Sequence, residues 1–296
     1  YGSYMLYKGD YIRQITPLTV DLDLISKELF ALTTSGSEEY CGTVIQRAVK
    51  ELEWGQNEAD MKLVYIAGNE EFTQGSVSYK TAIADALKKN IFVNTIHCGD
   101  EEIGVRDYWK DAALRGNGKF FNINADATVR AIKTPFDPQI ILCNNKLNDT
   151  YISYGSTGRE RKMNQIAQDK NAGTISSANY AERAVSKSGS AYKNTSWDLV
   201  DKMKEDQNVL SSIKKDELPQ ELQNKSTEEI KSIITQKEKE RTAIQKEIAE
   251  LAIKRQAYIE EQLKKEGDDS GDDLGKAITS SILTFANLKG YTVEAE

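Results

Sequence analysis

One histidine, three cysteines and four prolines in 296 residues leave this chain poorly equipped for several kinds of chemistry. A Ser-His-Asp or Cys-His hydrolase would have to be built on His97, because no other imidazole exists to serve as its base. Cys41 is the obvious thiol for such a pair, since it opens a helix whose N-terminus lowers a thiol pKa, but Glu38 and Glu39 beside it disfavour the thiolate. Cys41, Cys98 and Cys143 lack the paired C-x2-C spacing of a zinc site and the density of a disulfide-stapled small domain. Packing at a strand end or in the core accounts for them, with a Cys41–Cys98 disulfide as the alternative. No apolar run approaches the roughly 20 residues that span a bilayer. Bases are outnumbered, 39 against 46 acids, and the net charge of -7 works against a nucleic-acid partner.

Phosphate loops are missing too. Arg115-Gly116-Asn117-Gly118-Lys119 lacks the Walker spacing and precedes a strand rather than a helix. The aspartates of Gly267-Asp268-Asp269-Ser270-Gly271-Asp272-Asp273 lack EF-hand spacing and its twelfth-position Glu, so this stretch reads as an acidic linker. Hydrophobic residues at 39% and charged residues at 29% make the chain more polar than one compact core needs, so part of it is expected outside such a core. The chain reads as soluble, with its compartment open. It starts at Tyr1 in what looks like the middle of a strand, and an upstream segment is expected.

What is present is an alternation of short β-branched or aromatic runs with helical segments, the pattern of βαβ units and a parallel sheet. Strands are expected at Ser3–Tyr7, Tyr11–Ile15, Lys62–Ala67, Ile91–Cys98 and Lys119–Ile123; the third and fourth are apolar enough to be central. Helices are expected at Leu22–Leu32 behind the cap Asp21, at Gly42–Glu53, at Ser78–Lys89 with Ser78 as cap, and at Val105–Leu114. The fold class is therefore α/β: a mostly parallel sheet flanked by helices over residues 1–133. A loop-rich connection at 134–158 holds the run Ile140-Ile141-Leu142-Cys143, read as one extra strand, and a helical region covers 159–266. In that region Arg159–Asn171 and Ser177–Leu210 read as helix, the latter interrupted near Gly189. A helix over 227–265 has no Gly or Pro. Steps of four and three from Ile230 trace an apolar stripe on it, interrupted by Lys237, Arg241 and Arg255, with Ile244, Ile248 and Leu251 its densest patch. A helical hairpin within the chain or self-association through 227–265 would cover that patch. Residues 267–296 hold the linker and a short amphipathic helix, Leu274–Leu288.

The loop Thr33-Thr34-Ser35-Gly36-Ser37-Glu38-Glu39 follows one helix and precedes a second that ends Glu51-Leu52-Glu53-Trp54; the strand Leu63-Val64-Tyr65-Ile66-Ala67 then closes in Gly68-Asn69-Glu70. This order resembles the von Willebrand factor A (vWA) domain, and the units ending at Gly99 and Asn122 are similar to its last two. The resemblance covers about Tyr1–Lys133. It implies a divalent ion, usually magnesium, held by three loops at the carboxyl ends of the strands. The first loop's Asp-x-Ser-x-Ser is not in this sequence and is expected upstream. The second matches Ser35–Glu39, with Ser37 or Glu39 at the ligand position, and the third puts Asn69 where the family has Asp. Asn offers only a neutral carbonyl oxygen, so the resemblance leaves two alternatives: a weakened ion site at Ser37, Glu39 and Asn69, or a degenerate scaffold that binds partners without metal. The acids also have a plainer role, favouring the positive end of the following helix.

The function implied is a protein-interaction, adhesion-like module rather than an enzyme, taking a protein partner at that edge beside Glu38 and Glu70. The alternative is a structural or assembly protein that acts through the long helix.

Overall fold

In the computed structural model, residues 1–2, 11–33, 38–123, 131–265 and 274–292 are described. In chain order the elements are α1 (Leu22–Phe30), α2 (Cys41–Glu51), β1 (Lys62–Gly68), α3 (Tyr79–Leu87), β2 (Ile91–Cys98), α4 (Glu101–Arg106), α5 (Trp109–Arg115), β3 (Asn117–Ile123), α6 (Asp137–Asn148), α7 (Gly158–Ile175), α8 (Ser177–Ser188), α9 (Leu199–Glu205), α10 (Thr227–Lys265) and α11 (Leu274–Leu288). They form two compact units. The first is built from Tyr1–Leu18, Thr33–Val129 and Ser270–Glu296, the second from Thr19–Leu32 and Arg130–Asp269.

The first unit is α/β. Its three strands are parallel in the order β1-β2-β3, with Lys62 opposite Ile91, Gly68 opposite His97 and Cys98 opposite Ile123. Because side chains alternate along a strand, Ile91 and Val93 face one side and Phe92 the other. The first side packs on α2, α3 and α5 through Ile45, Val49, Ile66, Phe72, Ile83 and Trp109. On the other side Phe285 of α11 lies 5.2 Å from the Phe92 ring.

Two expectations fail here, and each segment holds a residue in the left-handed region. Tyr11–Ile15 is not a strand, and Tyr11 has φ 61. The expected helix Val105–Leu114 is instead α4 and α5, broken at Tyr108 with φ 70. A left-handed residue ends either ladder, and a non-Gly residue adopts it only where surroundings compensate. The expected strand Ser3–Tyr7 lies outside the described residues.

The second unit consists of helices. Asp21 caps α1 by accepting from the Leu24 N–H at 2.9 Å. The run Ile140–Cys143 belongs to helix α6 and not to a strand. Pro138 near the helix start presets its φ, and Ile140, Cys143 and Leu147 bury one face at helical spacing. A four-residue apolar run alone cannot separate the two cases. As expected, the helix from Ser177 is interrupted at Gly189 and α10 spans 227–265, but the helix expected to run on to Leu210 resumes only as α9, Leu199–Glu205. Ile248 of α10 is fully buried among Ile140, Leu147, Tyr151, Ala181 and Trp197, with Ile244 and Leu251 packed alongside. The patch on the long helix is thus covered by its own chain. No helix among the described residues is long and apolar enough to cross a membrane.

Candidate functional site at the carboxyl edge of the sheet

Three parallel strands end together, so Gly68, Cys98 and Ile123 lie at one edge, and the segments after Gly68 and Cys98 leave the sheet there. Open α/β sheets take ligands at this edge. Glu39 is brought to it by the segment entering α2. Its Oε2 accepts from the backbone N–H of Asn69 at 3.1 Å and of Glu70 at 3.4 Å. Its own N–H donates to Gln74 Oε1 at 2.7 Å, and its carbonyl accepts from Cys41 N–H at 2.8 Å. One side chain therefore ties the turn after β1 to the start of α2. The fit is close: a Cβ on Gly68 would lie 2.0 Å from Glu39 Oε2. Burial pushes the Glu39 carboxyl above its ordinary value, and the two N–H donors only partly oppose this.

Of the sequence-derived site residues, Glu39, Asn69 and Glu70 meet here. Glu38 precedes Glu39 and is half-buried, and Ser37 lies outside the described residues. Asn69 is tied to Glu39 through its backbone N–H, and the residue is exposed. The Glu70 carboxylate accepts from Gln74 Nε2 at 3.4 Å, while its carbonyl accepts from Trp109 Nε1 at 2.8 Å. Of the two Glu39 carboxylate oxygens, Oε2 already faces two N–H dipoles, and Asn69 adds only a neutral amide. Among the described residues no group of three or more His, Cys, Asp or Glu is placed to hold a metal.

The edge is acidic. Segments 38–40, 69–78 and 99–108 carry eight Asp and Glu against Arg106 alone, and Arg106 is paired with Asp107 at 2.8 Å.

Groups that could have supplied nucleophilic chemistry sit differently. His97 is 1% exposed, bonds through Nδ1 to Asn122 Oδ1 at 2.8 Å, and has Gly104 packed on its ring. All three cysteines are free thiols. Burial, then the Glu39 charge, pushes the Cys41 thiol up, and the same causes raise Cys98.

Two buried polar assemblies centred on α10 lie in the second unit and were not foreseen. Arg241 bonds Asp198 at 2.7 Å and Asp201 at 2.8 Å while lying 3.9 Å over the Tyr151 ring. Arg255 bonds Asp137 at 2.9 Å and pairs with Glu182. A signal was available: Arg241 and Arg255 stand seven residues from Ile234 and Ile248 respectively, in the buried register of α10.

Compared with known proteins, the chain matches no family model, no curated protein and no solved structure.

Proposed function

We propose that the chain is a protein-interaction module, not an enzyme, that takes its partner at the carboxyl edge of a sheet resembling the vWA domain. The acidic character of that edge carries the proposal. Eight acids against one base repel an acidic partner and attract a basic one, and clustered like charge raises the local concentration of an oppositely charged ligand. Glu38 and Glu70 are the contacts to test first, because Glu39 is occupied in holding the edge together. A vWA-like scaffold with a degenerate ion site fits the engagement of Glu39 by N–H donors and the neutral Asn69. The strand order β1-β2-β3 with helical crossovers is compatible with one half of such a sheet. Assembly through the long helix is the less favoured function, since Ile244, Ile248 and Leu251 are packed within the chain.

A photo-crosslinker at position 70 of the full chain, in its native host, should capture a protein through a segment rich in Lys or Arg. Reversing Glu38 and Glu70 to Lys should abolish that capture. Equal capture from a crosslinker at Glu58, before the amino end of β1, would overturn the proposal. The ion is tested separately by calorimetry with magnesium: Asn69→Asp restores a charge, and heat from the variant but not from the wild type identifies position 69 as a lapsed ligand position.

A further inference from the structure

The helix α1 sits in its unit in an unusual way. In sequence it lies between two stretches, Tyr1–Leu18 and Thr33–Val129, that belong to the first unit, yet it packs in the second, on α7. It is tied there by a set of ion pairs and hydrogen bonds. Asp23, 3% exposed, accepts from Arg183 Nη2 and from the Tyr192 hydroxyl, both at 2.6 Å. Arg183 Nη1 reaches Ser26 Oγ at 3.3 Å, and Asp21 pairs with Arg161. Arg183 and Tyr192 are held in turn from behind, Arg183 by Asp169 at 2.7 Å and Tyr192 by Gln165 Nε2 at 3.0 Å. Of the five apolar residues of α1, Leu24 and Ile25 are half-buried and the other three face outward, so the helix buries only a narrow apolar stripe. Leu22, Leu29 and Phe30 are exposed, Leu29 to 61%, and neither apolar cluster of the unit includes a residue of α1.

We infer that α1 is a detachable strap, latched on the second unit by Asp23 and able to leave while the rest of that unit stays folded. Three physical facts support this. A buried ion pair roughly breaks even against the desolvation of its charges, so a helix held this way gains little net docking energy. Nine residues are too few for a helix to persist alone in water, so leaving its seat and unfolding are one event. The seat keeps countercharges of its own, because Arg183 retains Asp169, which Lys187 also pairs at 2.7 Å. Opening thus leaves Arg183 and Lys187 sharing one carboxylate, and the face of Arg183 that α1 vacates opens to water.

Hydrogen exchange on the full chain, read by mass spectrometry, tests the strap. In the wild type, amides of Leu24–Ala31 should exchange at least about tenfold faster than those in the middle of α8 and α10, as a sub-global opening does. Asp23→Asn should speed the α1 amides by about a further tenfold and leave α8 and α10 unchanged, and Tyr192→Phe, which removes one donor to Asp23, should do the same to a smaller extent. Leu29→Ser should leave α1 exchange as it is, since that side chain takes no part in docking. The inference is overturned if wild-type α1 is protected as well as α10, if Asp23→Asn does not move the α1 amides, or if it speeds α8 and α10 equally. The last outcome would make Asp23 an ordinary core residue.

Discussion

Arg241→Met removes a guanidinium that is 1% exposed and replaces it with a flexible apolar chain of lesser bulk. Four hydrogen bonds disappear: to Asp198 Oδ2 at 2.7 Å, Asp201 Oδ1 at 2.8 Å, Thr150 Oγ1 at 3.0 Å and the Thr150 carbonyl at 2.9 Å. Asp198 is then left fully buried with two backbone donors, Ile152 N–H at 2.8 Å and Asp201 N–H at 2.9 Å, and without its ion-pair partner. Breaking a buried pair by removing one partner costs about 3–5 kcal/mol, more than replacing both, because the orphaned charge remains. At a urea dependence of about 2 kcal/mol per molar, the unfolding midpoint of the second unit should fall by about 1.5–2.5 M. Trp197, buried in this unit, reports the transition by fluorescence. The pH dependence adds an independent check. Burial already raises the Asp198 carboxyl, with Arg241 the chief opposing influence, so the variant's Asp198 rises further. A carboxyl with a raised folded-state pKa favours the native state while protonated and loses that advantage as pH rises through the raised value. The deficit of the variant should therefore be smaller at pH 5 than at pH 7.5. Lys265→Met, which removes an exposed partner of Glu261 in the same unit, should leave the midpoint where it is. A loss below about 1 kcal/mol in Arg241→Met, or a deficit that widens on acidification, would refute the assignment of Arg241 as the countercharge of this core.

Ile248→Ala, at a fully buried position, should cost about 2–5 kcal/mol at every protein concentration, and a melting temperature that varies with concentration would instead assign the patch to an interface. Glu39 has a folded-state carboxyl raised by burial, so its native-state advantage is present below the ordinary value of 4.5 and is lost as pH rises through the raised one; Glu39→Gln should gain stability relative to the wild type between pH 4 and 7, measured by thermal unfolding, and the opposite slope would contradict this. Among the thiols, half-buried Cys98 should react with iodoacetamide before buried Cys41 and Cys143, whose thiol is pushed up to about 11, as peptide mapping would read.

Several elements were legible because local chemistry suffices for them. The long helix needs only an uninterrupted stretch without Gly or Pro, α1 needs its Asp21 cap, and β2 needs an apolar run covered on both faces; β1, expected to be central as well, is at the end of the described sheet and mostly half-buried. Glu39, Asn69 and Glu70 could be grouped from their place after predicted elements, since parallel strands must end at one edge. Their bonding could not. That Glu39 spends its carboxylate on the backbone of Asn69 and Glu70 depends on two segments separated by about 30 residues meeting within hydrogen-bond distance.

The same limit explains the rest. Tyr11 and Tyr108 take left-handed backbone that their residue type disfavours, a cost which only tertiary contacts offset. On α10 the spacing marks Arg241 and Arg255 as members of the buried stripe, while their charge marks them as exposed. Asp198 and Asp137, 43 and 118 residues away, decide for burial. For α1, composition and capping make the helix, but neither says which unit receives it or which face turns inward. That choice belongs to Arg183 and Tyr192, because a carboxylate leaves water only where donors already wait for it.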